Sequence, residues 1–120
     1  MPFNKETENT GRKSVFDVLT PDLIFRSVEK ATGKILSGLI YPLPSYINRV
    51  YELQDEDKGR LIAKFYRPGR WTRAALQEEH DFVLDCAADE IPVVPPTRLL
   101  NGRTLDEVEG LYFAVYPKRL

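Results

Sequence analysis

Residues 61–71 read Leu61-Ile62-Ala63-Lys64-Phe65-Tyr66-Arg67-Pro68-Gly69-Arg70-Trp71, and they are the most informative stretch of the chain. Its first six residues have the apolar and aromatic composition of a β-strand, and Pro68-Gly69 breaks the chain directly after them. A single lysine, Lys64, interrupts the apolar run. Because a buried ammonium without an anion costs several kcal/mol or loses its charge, Lys64 is expected to meet a carboxylate, a phosphate or solvent.

A carboxylate follows on the next segment, where Thr72 is expected to cap a helix built from good helix formers. Helical spacing predicts a shared face that holds Leu76, Glu79, Val83 and Cys86. That face directs Glu79 toward Lys64, with Glu78 as the alternative partner. A strand lysine and a helix glutamate hold the α- and β-phosphates of ATP in kinase-type enzymes. The plainer alternative is a solvent-facing lysine and an exposed helical acid.

The composition is that of an ordinary soluble domain. The chain has 120 residues, 29% of them charged and 42% hydrophobic, and a formal net charge of −1. It lacks both an apolar run of the ~18 residues that a membrane span needs and the apolar core of a secretory signal. We therefore expect a cytoplasmic protein with no membrane partner. The charge argues against a nucleic-acid partner, and the basic cluster at Arg67, Arg70, Trp71 and Arg73 is expected to form a solvated turn.

The order of elements predicts an α+β fold. Residues 1–14 are expected to form a flexible tail and residues 15–120 a single domain. An N-terminal helix should begin at Thr20-Pro21-Asp22, run to Ala31 and end at Gly33. Strands are predicted at Ile35–Tyr41, Val50–Leu53, Leu61–Tyr66, Thr97–Leu100 and Leu111–Tyr116, with a loop at 42–49, a polar turn at 55–60, an extended connector at 91–96 and an acidic insert at 106–110. We expect a five-stranded antiparallel sheet with one packed helix plus the N-terminal helix.

The chain has one cysteine and one histidine. Cys86 is expected to be a small buried apolar residue, because no base for a nucleophile is recognisable beside it. His80 has no second histidine or cysteine at ligand spacing, so a surface or capping role is expected instead of metal binding.

Five blocks of sequence carry a resemblance to a known family. They are Ser45-Tyr46-Ile47-Asn48-Arg49-Val50-Tyr51, Gln54-Asp55-Glu56-Asp57, Lys64-Phe65-Tyr66-Arg67-Pro68-Gly69-Arg70-Trp71, Glu78-Glu79-His80 and Phe113-Ala114-Val115-Tyr116-Pro117. From about Thr20 onward the chain resembles the N-terminal lobe of the aminoglycoside-phosphotransferase-like kinases, a protein-kinase-like fold. Within that superfamily it is similar to the bacterial Ser/Thr protein kinases of stress responses.

The resemblance implies an ATP site. It assigns Ser45 to the loop over the phosphates, Lys64 to the α- and β-phosphates and Glu79 to orienting that lysine. The hinge around adenine would be formed by Tyr116, Pro117, Lys118 and Arg119. Physical reasoning leaves Ser45 open as an ordinary turn serine, and Asn48 and Arg49 open as structural residues, with Arg49 paired to an acid such as Glu52.

The resemblance also implies what the chain lacks. ATP and Mg²⁺ are the implied cofactors, but the catalytic Asp, its Asn and the Mg²⁺-binding Asp belong to a C-terminal lobe that is absent, so no catalytic or metal-binding residue is assigned. We expect a truncated reading frame that binds ATP weakly and hydrolyses none.

Two rival functions remain at this point. One is a small-molecule kinase that acts on an aminoglycoside or an amino alcohol, and the other is a non-catalytic binding module. A C-terminal lobe would normally meet the strand ending at Val115-Tyr116-Pro117 and the face of the Cys86 helix. Self-association through that surface is expected, unless the helix from Pro21 to Ala31 folds over it.

Overall fold

The computed structural model describes residues 15–90 and 93–118. Two helices and five strands follow one another along the chain. They are α1 (Pro21–Thr32), β1 (Leu36–Leu43), β2 (Arg49–Asp55), β3 (Arg60–Phe65), α2 (Arg73–Ala88), β4 (Asp106–Val108) and β5 (Leu111–Pro117). The expected tail at 1–14, part of the connector at Ile91 and Pro92, and the hinge residue Arg119 lie outside the described residues.

The strands form one antiparallel sheet in the order β1-β2-β3-β5-β4. The predicted α+β class, the five-stranded antiparallel sheet and the two helices are confirmed. Strand β3, which contains Lys64, is central and pairs with β2 and β5. The β2–β3 turn is closed at Asp55, whose carboxylate accepts the backbone N–H groups of Asp57 and Gly59, each at 2.9 Å.

The predicted fourth strand is wrong. Residues 97–100 are irregular, and their backbone N–H groups serve three different acceptors, Val115, Arg103 and Ala31, instead of one ladder. The edge strand is β4, which lies within the segment that the sequence presents as an acidic insert. Strand β1 also extends through Pro42 to Leu43, so the loop before β2 is shorter than predicted. Proline is tolerated there because β1 is an edge strand.

Helix α1 packs on one face of the sheet. Thr20 caps it by accepting the N–H of Leu23, and Gly33 ends it with φ 77°, as the sequence predicts. Its buried residues join a core with the inward residues of β2, β3 and β5, which include Ile24, Val28, Ala31, Leu53, Ala63, Phe65, Phe113 and Val115. Since α1 covers this face, it does not fold over the opposite one, where Lys64 lies.

Helix α2 packs on that opposite face and is held more loosely. Thr72 caps it, as predicted, by accepting the N–H of Ala75 at 3.0 Å. Only Leu76 and His80 are buried among its sixteen residues. Leu76 joins a small second core with Tyr66, Leu105 and Ala114. The rest of the helix has little to hold it against the sheet.

The predicted face of α2 is therefore wrong in part. Leu76 is buried, but Glu79 is exposed, and Val83 and Cys86 are only half-buried. The expectation that Cys86 is a buried apolar residue is corrected accordingly. The physical reason is a rotation of the packed face by one position, which places His80 where Glu79 was expected.

Candidate functional site

Lys64 lies on a sheet face whose neighbours are set by strand register. Directly paired residues share a face, so Lys64 lies between Val50 of β2 and Ala114 of β5. The adjacent row places Ile62 between Glu52 and Tyr116. Val50, Ile62, Lys64 and Tyr116 are each half-buried. The result is a partly open apolar strip with one cation in it.

Sequence reasoning missed Val50 and Ile62 as members of this strip. Two signals could have found them. Ile62 lies two residues before Lys64 on the same strand, and residues two apart share a face. Val50 follows from the β2–β3 turn, because that turn fixes which residue of β2 faces Lys64.

The expected ion pair between Lys64 and Glu79 is not among the ion pairs of the described residues. The Lys64 ammonium instead lies 5.2 Å from the centroid of the Tyr66 ring. Both charges act on the imidazole of His80, since Glu79 raises and Lys64 lowers its pKa. Glu78 is exposed as well and does not take the place of Glu79. Lys64 therefore keeps its charge available to an anion.

His80 is buried, and the expectation of a surface or capping role is wrong. Its side chain is 2% exposed. Nε2 lies 3.0 Å from the Tyr66 hydroxyl and 3.5 Å from that of Tyr116, and Nδ1 lies 2.8 Å from the Thr104 hydroxyl. The two tyrosine hydroxyls are 3.3 Å apart. These contacts join α2 to β5, to the end of β3 and to the segment before β4.

Burial favours the neutral form of each titratable group in this cluster. Desolvation raises the pKa of Tyr66 and of Tyr116, and it lowers the pKa of His80. All three groups are therefore neutral near pH 7. Neutral groups that are hydrogen-bonded to one another can be buried at a lower cost than charged groups.

The end of β5 carries a separate charged cluster. Glu52 is buried and binds the Lys118 ammonium with both carboxylate oxygens at 3.0 Å and the Arg60 guanidinium at 2.6 Å. Hydrogen bonds from Lys118 are the main reason that the pKa of Glu52 is lowered. The proposed pairing of Arg49 with Glu52 is wrong, because the Arg49 guanidinium lies 4.7 Å from the centroid of the Phe16 ring.

The loop between β1 and β2 is short and open. Ser45 is exposed there, and Tyr46 beside it is 96% exposed. Asn48 is buried and accepts the backbone N–H of Arg67 at 3.1 Å, and the Arg67 side chain donates to the carbonyl of Ile47 at 3.2 Å. Asn48 thus has a structural role, since it ties the base of this loop to the chain just after β3.

A groove in the described part of the chain does not include Lys64. It has a volume of about 600 Å³ and lies along the side of α2, where it is lined in part by Arg73, Asp81, Arg98, Arg103 and Thr104. The described residues contain no group of three or more side chains that could hold a metal ion, and no helix among them is long and apolar enough to span a membrane.

Comparison with known proteins shows the family to which this chain belongs. Residues 40–119, from β1 past the end of β5, match the model of the phosphotransferase enzyme family. This chain belongs to that family. The matched part includes the whole Lys64 face and α2.

Curated relatives include kinases with a shared name. The chain is 48% identical over 102 residues to stress response kinase A of Shigella flexneri and to that of Escherichia coli K12, and 43% identical to the serine/threonine protein kinase RdoA of Salmonella typhimurium. Each match covers 85% of this chain and 30% of the relative. The chain therefore spans about a third of the length of these kinases.

A solved structure shares the fold. Amicoumacin kinase in complex with AMP-PNP, Ca²⁺ and Ami superposes with a TM-score of 0.73 over 94% of this chain and 33% of that chain, at 18% identity. Together with the sheet order, this likeness confirms the kinase-like N-lobe.

Proposed function

We propose that this chain is the nucleotide-binding lobe of an ATP-dependent Ser/Thr protein kinase that acts in the bacterial cytoplasm during stress responses. The observation that carries the proposal is the placement of Lys64 in the centre of a partly open apolar strip, with no ion pair among the described residues. The 48% identity to stress response kinase A supports the same function. In the complete protein, the γ-phosphate of ATP would pass to a protein hydroxyl.

The residues of the strip fit a nucleotide. Lys64 supplies a compact positive charge for the α- and β-phosphates. Val50 and Ile62 offer aliphatic surface to the adenine ring, and Tyr116 borders the same surface. Ser45 and the neighbouring backbone N–H groups of the exposed loop can donate to phosphate oxygens. Glu79 would orient Lys64 from the exposed side of α2.

The end of β5 would form the hinge beside adenine. Tyr116, Pro117 and Lys118 follow the apolar strip directly, and the Lys118 side chain is already committed to Glu52 at 3.0 Å. Hence the backbone of this segment, and not the lysine charge, would contact the ring. The Glu52 cluster would fix where that backbone lies.

ATP is accompanied by a divalent metal in this chemistry, and Mg²⁺ would neutralise phosphate charge when bound. The described residues hold no cluster of metal ligands. We assign the metal ligands and the catalytic base to the part of the protein that corresponds to the unmatched 70% of the relatives. No catalytic step is assigned to a residue of this chain.

Calorimetric titration with Mg-ATP tests the proposal. We expect weak binding with a Kd of about 1 mM, or roughly −4 kcal/mol, because only one wall of the cleft is present, and no hydrolysis. Lys64→Met should abolish the binding. Lys30→Met, an exposed lysine of α1 on the far side of the sheet, is the matched control and should leave the affinity unchanged.

Two results would overturn the proposal. Equal affinity in the Lys64→Met and Lys30→Met variants would show that nucleotide binds elsewhere. Measurable ATP turnover in the purified chain would contradict the assignment of the catalytic base to another part of the protein.

Membership of the family does not specify whether the phosphoryl acceptor is a protein or a small molecule. Amicoumacin kinase shares the fold at 18% identity, which does not specify a substrate. A protein acceptor is favoured because a relative at 43% identity is named a serine/threonine protein kinase. Offering the complete protein a protein mixture, an aminoglycoside and an amino alcohol with labelled ATP would separate the two classes. Label on none of them would favour the non-catalytic binding module.

A further inference from the structure

The buried imidazole of His80 has no role in the function proposed above. It is the only histidine of the chain, and it contributes one of the two buried side chains that attach α2 to the sheet. The other is Leu76, one helical turn earlier. A titratable group therefore supplies half of the attachment of this helix.

The hydrogen bonds around Thr104 identify the tautomer of His80. The Gln77 amide nitrogen donates to the Asp81 carboxylate at 3.0 Å, since a carboxylate can only accept, and to the Thr104 oxygen at 3.3 Å. Thr104 is 2% exposed, so its own hydrogen needs a buried acceptor. Nδ1 of His80, at 2.8 Å, is that acceptor.

The proton of a neutral imidazole must then sit on Nε2. Nε2 donates to the Tyr66 hydroxyl at 3.0 Å, and Tyr66 donates in turn to Tyr116 at 3.3 Å. This order satisfies each buried donor from Thr104 to Tyr66. The last hydroxyl in this order belongs to Tyr116, which is half-buried.

We propose that His80 is an acid-sensitive positioning residue: its neutral Nε2–H form holds α2, the helix that carries Glu79, against the sheet, and its protonation releases the helix. The effect on nucleotide binding at Lys64 rests on the proposed function, whereas the release of α2 does not. A second proton would sit on Nδ1, where it faces the hydrogen of Thr104. The Thr104 hydroxyl would have to turn its hydrogen away from Nδ1, and that hydrogen would lose its buried acceptor.

The charged and titratable groups around His80 together favour its neutral form. Burial lowers the pKa of the imidazole, Lys64 of β3 lowers it further, and Glu79 and Asp81 of α2 raise it in part. Tyr66 and Tyr116 face the ring as neutral hydroxyls. Because the folded pKa lies below the usual 6.5, the released helix gains by up to tenfold for each pH unit as the pH falls from 6.5 to the folded value, and the gain levels off below it.

Two-dimensional NMR of the imidazole nitrogens tests the tautomer directly, because one histidine gives one set of signals. We expect Nε2 to be protonated and Nδ1 bare near neutral pH, with a titration midpoint below that of a histidine in a short peptide. A protonated Nδ1, or a midpoint at or above the peptide value, would overturn the proposal.

Hydrogen exchange of the α2 amides, expressed as protection factors, tests the release. In the wild type, protection should fall by up to tenfold per pH unit between the usual histidine pKa of 6.5 and the imidazole midpoint and level off below that midpoint, while protection of β2 and β3 stays constant. His80→Asn keeps an acceptor for Thr104, and His80→Gln keeps a donor for Tyr66, but neither titrates. Protection in both variants should be independent of pH. An unchanged wild-type profile, or the same fall in the variants, would refute the proposal.

Thr104→Val supplies a test in case the His80 variants do not fold. Removal of the hydroxyl hydrogen that favours bare Nδ1 should raise the imidazole midpoint and shift the loss of α2 protection to higher pH. Thr32→Val, which alters a hydroxyl of α1 bonded to Val28, is the matched control and should shift neither. An unchanged midpoint in Thr104→Val would contradict the assigned hydrogen-bond order.

Nucleotide binding separates this inference from the proposed function. If Lys64→Met does not affect ATP binding, the proposed function fails, whatever α2 does. If ATP binding requires Lys64 but loses no more affinity on acidification in the wild type than in His80→Asn, the positioning role fails alone. The variant corrects for the titration of ATP itself.

Discussion

At the scale of single residues, the choice between Glu79 and His80 shows where sequence reasoning ends. Both fit a helical face that contains Leu76, at spacings of three and four, so periodicity alone cannot choose between them. The choice is made by the hydroxyls of Tyr66 and Thr104, which are distant in sequence and satisfy the imidazole. By contrast, Lys64, Thr20 and Thr72 could be placed because local patterns fix strand direction and helix caps.

Gly33 gives a prediction at this scale. Its φ of 77° is unfavourable for other residues, and an added Cβ would lie 3.3 Å from Leu100. Gly33→Ala should lower the free energy of unfolding by about 1 kcal/mol from backbone conformation alone, plus the cost of moving Leu100. Gly69→Ala has a similar φ of 79° with nothing within 4 Å. Urea denaturation of both variants isolates the Leu100 contribution, and equal losses would show that Leu100 adjusts freely.

At the scale of elements, the sequence predicts strands well where turn residues and alternating patterns agree. It fails at β4 because that strand is short and acidic. Charged residues are common on edge strands, where they discourage pairing with other chains. Residues 97–100 are predicted as a strand after Pro95-Pro96, but their backbone N–H groups bond to β5, to α1 and to the loop at Arg103 instead of to one neighbouring strand.

The two helices should respond differently to loss of their caps. Thr20→Ala and Thr72→Ala each remove one hydroxyl that accepts a backbone N–H, a loss of about 1 kcal/mol. Because α1 is part of the main core, Thr20→Ala should lower global stability. Thr72→Ala should chiefly raise local opening of α2, which has two buried residues. Hydrogen exchange resolves the two cases, and equal loss of protection across the whole chain in Thr72→Ala would contradict loose packing of α2.

At the scale of the whole molecule, the sheet separates two functions. One face carries the core with α1, which stabilises the fold, and the other carries Lys64, the Glu52 cluster and α2. An alternating strand pattern predicts two such faces, but it cannot predict that the helix attached by few buried residues is the one beside the candidate site. That attachment depends on contacts between distant segments.

Stability should fall on both sides of neutrality. The folded pKa values of His80 and Glu52 are lowered, so the stability that they contribute is complete above their unfolded pKa values and is lost as the pH falls through the folded ones. The raised pKa values of Tyr51, Tyr66 and Tyr116 cause a loss above about pH 10.

Thermal unfolding as a function of pH measures both limbs. His80→Asn should flatten the acid limb just below the usual histidine pKa, and Glu52→Gln should flatten only its lower part, near the usual value of 4.5. An acid limb that is identical in wild type and His80→Asn would contradict the neutral buried imidazole.

Mapping of amide chemical shifts during titration with ATP tests whether nucleotide binds the Lys64 face. We expect the largest changes at Val50, Ile62, Lys64 and the loop at 44–48, none at Ile24 or Val28 of α1, and loss of the pattern in Lys64→Met. Changes confined to α1, or to the groove lined by Arg98 and Arg103, would contradict it.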